Sequence, residues 1–199
     1  LQNIKEMNRQ ALEHIIRAAG EIAQVRKLIV FGSQSILAQF PDLTRVISES
    51  KPGDISETTE NCEILVRSIE ADIMIPNSME KTELVDAVLG ELSNFHGTFG
   101  YYAQGVDLTT SRLPEGWENR LVEICNKNTN GVSGMCVEIH DVMISKLYAS
   151  RPKDLDFFKA AVKLGLVSKK ILLERLSKTK ISADRRSKMV AQITRGTKK

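Results

Sequence analysis

At 199 residues the chain is long enough to bury a sizeable core, and its length suits one α/β domain with a helical appendage better than two independent domains. Its apolar content of 42% is ordinary for a soluble protein, no apolar run approaches the length that spans a bilayer, and the amphipathic opening segment lacks the features of a signal peptide. The formal net charge of +3 is unevenly spread: residues 42–63 are acid-rich, whereas residues 178–199 carry basic residues with Asp184 as the sole acid, a tail suited to phosphates or acidic partners.

In chain order, Ile4, Met7, Ala11, Leu12, Ile15, Ile16 and Ala19 share one helical face, with Gly20 as the expected stop, and His14 reads as a surface histidine without a role. The apolar run Leu28-Ile29-Val30-Phe31 reads as a strand that breaks at Gly32-Ser33 before a helix over 34–39. A glycine there lets the backbone approach a ligand, and the unpaired N–H groups of a helix start favour a phosphate. Residues 42–61 are polar, with Lys51-Pro52-Gly53-Asp54 as a turn, and read as a flexible loop with some helix. The alternation over 68–75 then predicts a strand with Glu70 and Asp72 on one face and Ala71, Ile73 and Ile75 on the other. Two adjacent carboxylates repel unless a cation sits between them, and hard oxygen ligands suit Mg²⁺ or Mn²⁺ carrying substrate phosphates. Glu63, on the run Cys62 to Val66, competes as an alternative acid, but only Glu70 and Asp72 carry the acid-apolar-acid-apolar alternation.

Ser78 caps a predicted helix whose apolar stripe is Met79, Leu84, Val85, Val88, Leu89 and Leu92. Gly97, Gly100 and Gly105 around Tyr101-Tyr102 fit either a nucleobase platform or a glycine-bordered edge strand. After a turn over 113–117, residues 120–124 and 134–139 read as a hairpin joined by Asn128-Thr129-Asn130-Gly131. The rest is helical: Asp141 caps a helix through Tyr148, Pro152 permits a restart, 154–164 carries another stripe, and Ser168 and Ser182 cap helices over 169–176 and 183–193. The expected fold class is α/β (α+β), a small mixed sheet with flanking helices. The expected division is a core over 1–140 with a polar insertion at about 42–61, then a helical part over 141–199.

Phe31-Gly32-Ser33 followed by Glu70-Ala71-Asp72-Ile73 resembles the glycine-serine and paired-acid signature of the polymerase-β-like nucleotidyltransferase superfamily. The run 30–37 with Gln39-Phe40-Pro41, and the later segment from His140-Asp141 through Ser145-Lys146-Leu147, Arg151, Lys153-Asp154 and Phe157, is similar to the bacterial branch of AbiEii-type toxins and uncharacterised relatives. The resemblance implies that Lys146 meets the triphosphate, with Arg151 and Lys153 as further phosphate contacts, and that Asp154 joins the active-site set; a plain helix cap is the alternative for Asp154, and Asp156 is a weaker candidate. Larger members carry a third strand carboxylate, a place for which Glu138 and Asp107 are the available acids.

The implied reaction is attack by an acceptor hydroxyl on the α-phosphate of a nucleoside triphosphate, with Mg²⁺ held by Glu70 and Asp72 and the outer phosphates held by Gly32 and Ser33. Lys146, taken to lie on an open helix face that contributes little to packing, would neutralise the leaving pyrophosphate. The resemblance leaves open an RNA end such as that of tRNA, a protein or a small molecule as acceptor, and suggests an antitoxin-like protein as a partner. Its alternative is a non-catalytic nucleotide- or partner-binding module of the same fold. No P-loop run occurs. Cys62, Cys125 and Cys136 have neither an even count nor metal-ligand spacing, which fits a reducing cytoplasm without a disulfide framework.

Overall fold

The computed structural model describes residues 7–50 and 56–197. Five strands form one mixed sheet: β1 (Lys27–Phe31), β2 (Glu70–Met74), β3 (Tyr102–Gly105), β4 (Val122–Ile124) and β5 (Ser133–Cys136), in the order β3-β2-β1-β5-β4. β1 is central because four consecutive residues, Leu28 to Phe31, are apolar and buried. Both of its faces are therefore covered, and each such side chain contributes about 1.5–3 kcal/mol relative to exposure. It pairs antiparallel with β2, setting Phe31 opposite Asp72, and parallel with β5, setting Val30 opposite Cys136. The predicted hairpin is present as the antiparallel β4–β5 pair, and β3 lies parallel to β2 at the sheet edge.

Nine α-helices surround the sheet among the described residues. α1 (Arg9–Ile22) begins at Asn8, whose side chain accepts from the Ala11 N–H at 2.8 Å. It runs past Gly20, the expected stop; a β-carbon at Gly20 would stand 2.6 Å from Val132, so this glycine serves the packing of the helix on the β5 side. The start of the predicted stripe, Ile4, lies outside the described residues. The buried Glu13 accepts from Arg9 Nε (2.8 Å), Asn126 Nδ2 (2.8 Å) and Asn128 Nδ2 (2.7 Å), tying α1 to the loop between β4 and β5. His14, read as a surface residue, instead meets Tyr101 Oη at 2.8 Å and packs among the rings of Phe95 and Phe99.

The polar segment expected as a flexible loop with some helix contains α2 (Leu43–Glu49) and the start of α3 (Glu57–Val66); residues 51–55, with the expected Pro-Gly turn, lie outside the described residues. Order here comes from local chemistry, since Ser56 caps α3 by accepting from the Thr59 N–H and the Asn61 amide donates to the Glu57 carbonyl. α4 (Met79–Leu89) carries the predicted Ser78 cap but buries a different face. Val85, Leu89 and Thr82 face inward, Thr82 Oγ1 accepting from the Ile75 N–H at 3.0 Å, while Met79, Leu84, Val88 and Leu92 of the predicted stripe are exposed. α5 (Asn94–Phe99) precedes β3.

The C-terminal part is helical throughout: α6 (Ile139–Ala149), α7 (Pro152–Lys163), α8 (Lys169–Ser177) and α9 (Ala183–Gly196). Pro152 opens α7 as expected, and Ser182 caps α9 by accepting from the Arg185 N–H. Asp141, expected as a cap, is instead fully buried and paired with Arg120 (2.8 Å) and Arg175 (3.4 Å); Glu138 caps α6, accepting from the His140 N–H at 3.0 Å. Among the described residues no helix is long and apolar enough to cross a membrane.

Candidate functional site

The site begins where β1 ends. Gly32 has φ +69°, and a β-carbon there would collide with the Asp72 carboxylate, so glycine is required both by the backbone angle and by the close approach of Asp72. The register explains the approach: Phe31 pairs with Asp72, which brings the next residue of the chain against that side chain. The following segment is a 3-10 helix over Ser33–Ala38 and not the α-helix the sequence suggests. Ser35 Oγ donates to the carbonyls of Gly32 (2.9 Å) and Val137 (3.0 Å), and Gln34 donates to the Ser68 carbonyl (3.0 Å), holding the turn tight. Such a short segment has a small dipole, so anion binding there depends on individual N–H groups and neighbouring cations.

Glu70 and Asp72 share one face of β2, as the alternation requires. Burial, followed by the hydrogen bond and charge of Glu70, pushes the Asp72 carboxyl up to about 7, and Lys146 and Lys153 offset this only in part. On the neighbouring edge strand Tyr102 pairs with Glu70 and Gln104 with Asp72; Tyr102 Oη donates to Glu70 Oε2 at 3.0 Å.

A second cluster faces these acids. Lys146 of α6 donates to Ser33 Oγ at 3.0 Å and to Asp154 Oδ1 at 3.3 Å, with its ammonium 4.4 Å from the centre of the Phe157 ring. Only 12% of its side chain is exposed, so the expectation of an open helix face is corrected: this lysine is packed. Burial lowers its pKa, and the Asp154 charge and hydrogen bond oppose that shift. Asp154 is fully buried and accepts from Arg151 Nε (2.7 Å), the Arg151 N–H (3.3 Å) and Lys146. Burial alone would raise its pKa, but the Arg151 hydrogen bond and the Lys146 charge prevail and lower it.

Gly32, Ser33, Glu70, Asp72, Lys146, Arg151 and Lys153 all line one cleft of about 310 Å³. Asp154 does not line it; it sits behind Lys146 and Arg151 and holds both. The expected stand-ins for a third acid are elsewhere. Glu138 caps α6 and bonds His140, Asp107 accepts from the Thr109 N–H, and neither lines the cleft. Asp156 is half-buried and paired with Lys159 at 3.4 Å, and Glu63 stands on α3, not on a strand. Two residues that line the cleft, Gln104 and Arg67, were given no role from sequence, Arg67 donating to the Lys153 carbonyl at 3.3 Å; Tyr102, read as part of a nucleobase platform or an edge strand, stands on the edge strand β3. The alternation of Tyr102, Ala103 and Gln104 marks a strand, but only its pairing with β2 shows which residues it brings to the acids.

Among the described residues no group of three or more His, Cys, Asp or Glu side chains gathers into a metal cage. A hard cation would take two carboxylates from the chain and its remaining oxygens from phosphates and water, which is the binding habit of Mg²⁺. The donor chemistry and the mutual repulsion of Glu70 and Asp72 fit such an ion. Residues 10–195 match the model of a family described as nucleotidyltransferase of unknown function (DUF6036). No curated protein and no solved structure matches the chain.

Proposed function

The chain belongs to the DUF6036 family of nucleotidyltransferases, and from that premise we propose that it moves a nucleoside monophosphate from a nucleoside triphosphate to a hydroxyl acceptor, with Mg²⁺ or Mn²⁺ as cofactor. One observation carries the reading: the Glu70 and Asp72 carboxylates, with no cation bonded to either among the described residues, face a wall of Lys146, Arg151 and Lys153 across one cleft. The acids would hold the metal, which supplies charge neutralisation at the phosphate oxygens when bound. Lys146, Arg151, Lys153 and the N–H groups at Gly32-Ser33 would bind the outer phosphates, fixing the α-phosphate in line with the acceptor and stabilising the charge that grows on departing pyrophosphate.

The toxin-like branch belongs to this proposal and rests on the segment from Ser145-Lys146 to Asp154. Under it the reaction takes place in the cytoplasm, tRNA or another RNA joins proteins and small molecules among the acceptors to be screened, and an antitoxin-like protein is a partner to be sought by co-purification.

Calorimetric titration with nucleoside triphosphate and Mg²⁺, followed by turnover of labelled triphosphate with a mixed acceptor pool, tests the reading. Asp72→Asn is expected to remove the Mg²⁺ dependence of binding and to cut transfer by about 10³-fold. Lys146→Ala should cost rate more than affinity, because it meets charge that develops in the transition state. Since this lysine is packed, its thermal stability must be measured alongside. Triphosphate binding that is unchanged in Asp72→Asn would refute the role of the acid pair, and binding without transfer to any acceptor would favour a non-catalytic module.

A further inference from the structure

The lining of the cleft is divided by charge. Lys146, Arg151, Lys153 and Arg67 gather about the α6–α7 turn, Arg67 donating to the Lys153 carbonyl, whereas the chain from β3 onward contributes Gln104, Val106, Ser111 and Leu113, none of them charged. A triphosphate belongs with the cations, which leaves the neutral stretch for the acceptor hydroxyl.

Four serines line the cleft, and two are engaged: Ser33 Oγ accepts from Lys146, and Ser68 Oγ accepts from the Glu70 N–H at 3.3 Å. Ser111 and Ser145 make no side-chain hydrogen bond among the described residues. Ser145 is fixed in the middle of α6. Ser111 is half-buried on extended backbone (φ −122°, ψ 143°), just after the 3-10 turn Leu108–Thr110. Main-chain hydrogen bonds hold its stretch at either end, the Val106 N–H donating to the Ile73 carbonyl (2.9 Å) and the Glu115 N–H to the Lys178 carbonyl (2.9 Å), and the Arg112 guanidinium rests over the Tyr148 ring. Between them runs no α-helix or strand, so the hydroxyl can be advanced toward a bound phosphate without unmaking the sheet. Ser111 and Leu113 also line the adjoining surface depression with Arg112 and Trp117, so this stretch is a thin wall between the cleft and the outside.

We propose that Ser111 is an acceptor in cis, so that the protein nucleotidylates itself on the neutral stretch of its own cleft. Ser111 Oγ attacks the α-phosphorus of the bound nucleoside triphosphate. The Oγ–P bond forms as the bond from that phosphorus to the bridging oxygen of pyrophosphate breaks; pyrophosphate leaves with that oxygen, and the hydroxyl proton passes to solvent water. The product is a phosphodiester between serine and nucleoside. Because the attached nucleotide stays in or beside the cleft, the modified protein would bind further triphosphate less well, making the reaction self-limiting.

The inference rests on the proposed function, since it needs the same cleft to bind a triphosphate. The test incubates the full chain with each α-³²P-labelled nucleoside triphosphate and Mg²⁺ without an added acceptor, then reads intact mass and maps the labelled peptide. The expected result is a single added nucleoside monophosphate at Ser111, reduced at least ~10-fold in Ser111→Ala and retained in Ser111→Thr, with triphosphate binding by calorimetry equal to the unmodified protein in both. Label at Ser145 or elsewhere overturns it, as does an unlabelled protein that still binds triphosphate and serves an added acceptor; either result leaves the proposed function standing. A protein that binds no triphosphate at all removes both.

Discussion

Two aspartates within one small region behave in opposite ways. Asp154 is fully buried yet held below the usual carboxylate range, because Arg151 and Lys146 supply the bonds and charge that burial takes away. Asp72 is raised to about 7, first by burial and then by the hydrogen bond and charge of Glu70, with Lys146 and Lys153 too weak to reverse either. Burial opposes the charge on both, so partners decide the outcome. A charge that serves the fold is closed off by its own chain, whereas a charge left without a counterion within bonding reach marks the place where something from outside is meant to arrive.

Removing each carboxylate should sharpen that contrast. Asp154→Ala takes from the packed Lys146 the carboxylate bonded to it and should cost about 3 kcal/mol in urea unfolding, the largest effect on stability expected here. Asp72→Asn should do the reverse, stabilising the metal-free fold by roughly 1–2 kcal/mol at pH 8 by relieving repulsion with Glu70. Equal losses in the two variants would break the comparison.

The pH dependence follows with opposite signs. Between the ordinary Asp value of 3.8 and about 7, folded Asp72 keeps a proton that the unfolded chain has lost, so its contribution to stability declines as pH rises through that window. Asp154, being lowered, contributes stability that is present above 3.8 and is lost as pH falls below it. A metal ion competes with the Asp72 proton, so Mg²⁺ affinity should rise as pH increases through about 7, and a flat calorimetric profile would contradict the assignment. The smallest expected effect is that of Tyr102→Phe: losing the hydrogen bond to Glu70 should weaken Mg²⁺ affinity a few-fold, by about 0.5–1 kcal/mol, with the melting curve nearly unchanged.

What the sequence revealed was mostly local. Leu28 to Phe31, the acid alternation of β2, the β4–β5 hairpin and the Pro152 restart are short-range patterns, and each corresponds to an element. The face of α4 was misread because Thr82, a polar residue, is turned inward by its bond to Ile75 while Leu84 and Val88 remain in solvent. Some helix was legible between 42 and 61, but the polar composition concealed the extent of α2 and α3, whose order depends on caps and on packing against distant parts of the chain. At the site, Gly32, Ser33, Glu70 and Asp72 were legible as motifs, but the bond from Lys146 to Ser33 spans 113 positions and the approach of Tyr102 to Glu70 depends on strand pairing. Asp141 shows the same limit: its position suggested a cap, and only the fold brings Arg120 and Arg175 to it.

The central place of β1 also has a kinetic meaning. Its two neighbours in the sheet are β2, over Glu70–Met74, and β5, over Ser133–Cys136, so the strand made first is the one completed last. During synthesis β1 must wait for more than half of the chain to emerge before its second edge is covered, and Lys146 emerges later still. Closing loops of that length before the pairing is rewarded favours slow folding. On the ribosome the acid pair can therefore be assembled while its cationic wall is still being made, so the cleft acquires its binding half only when nearly all of the sheet is in place.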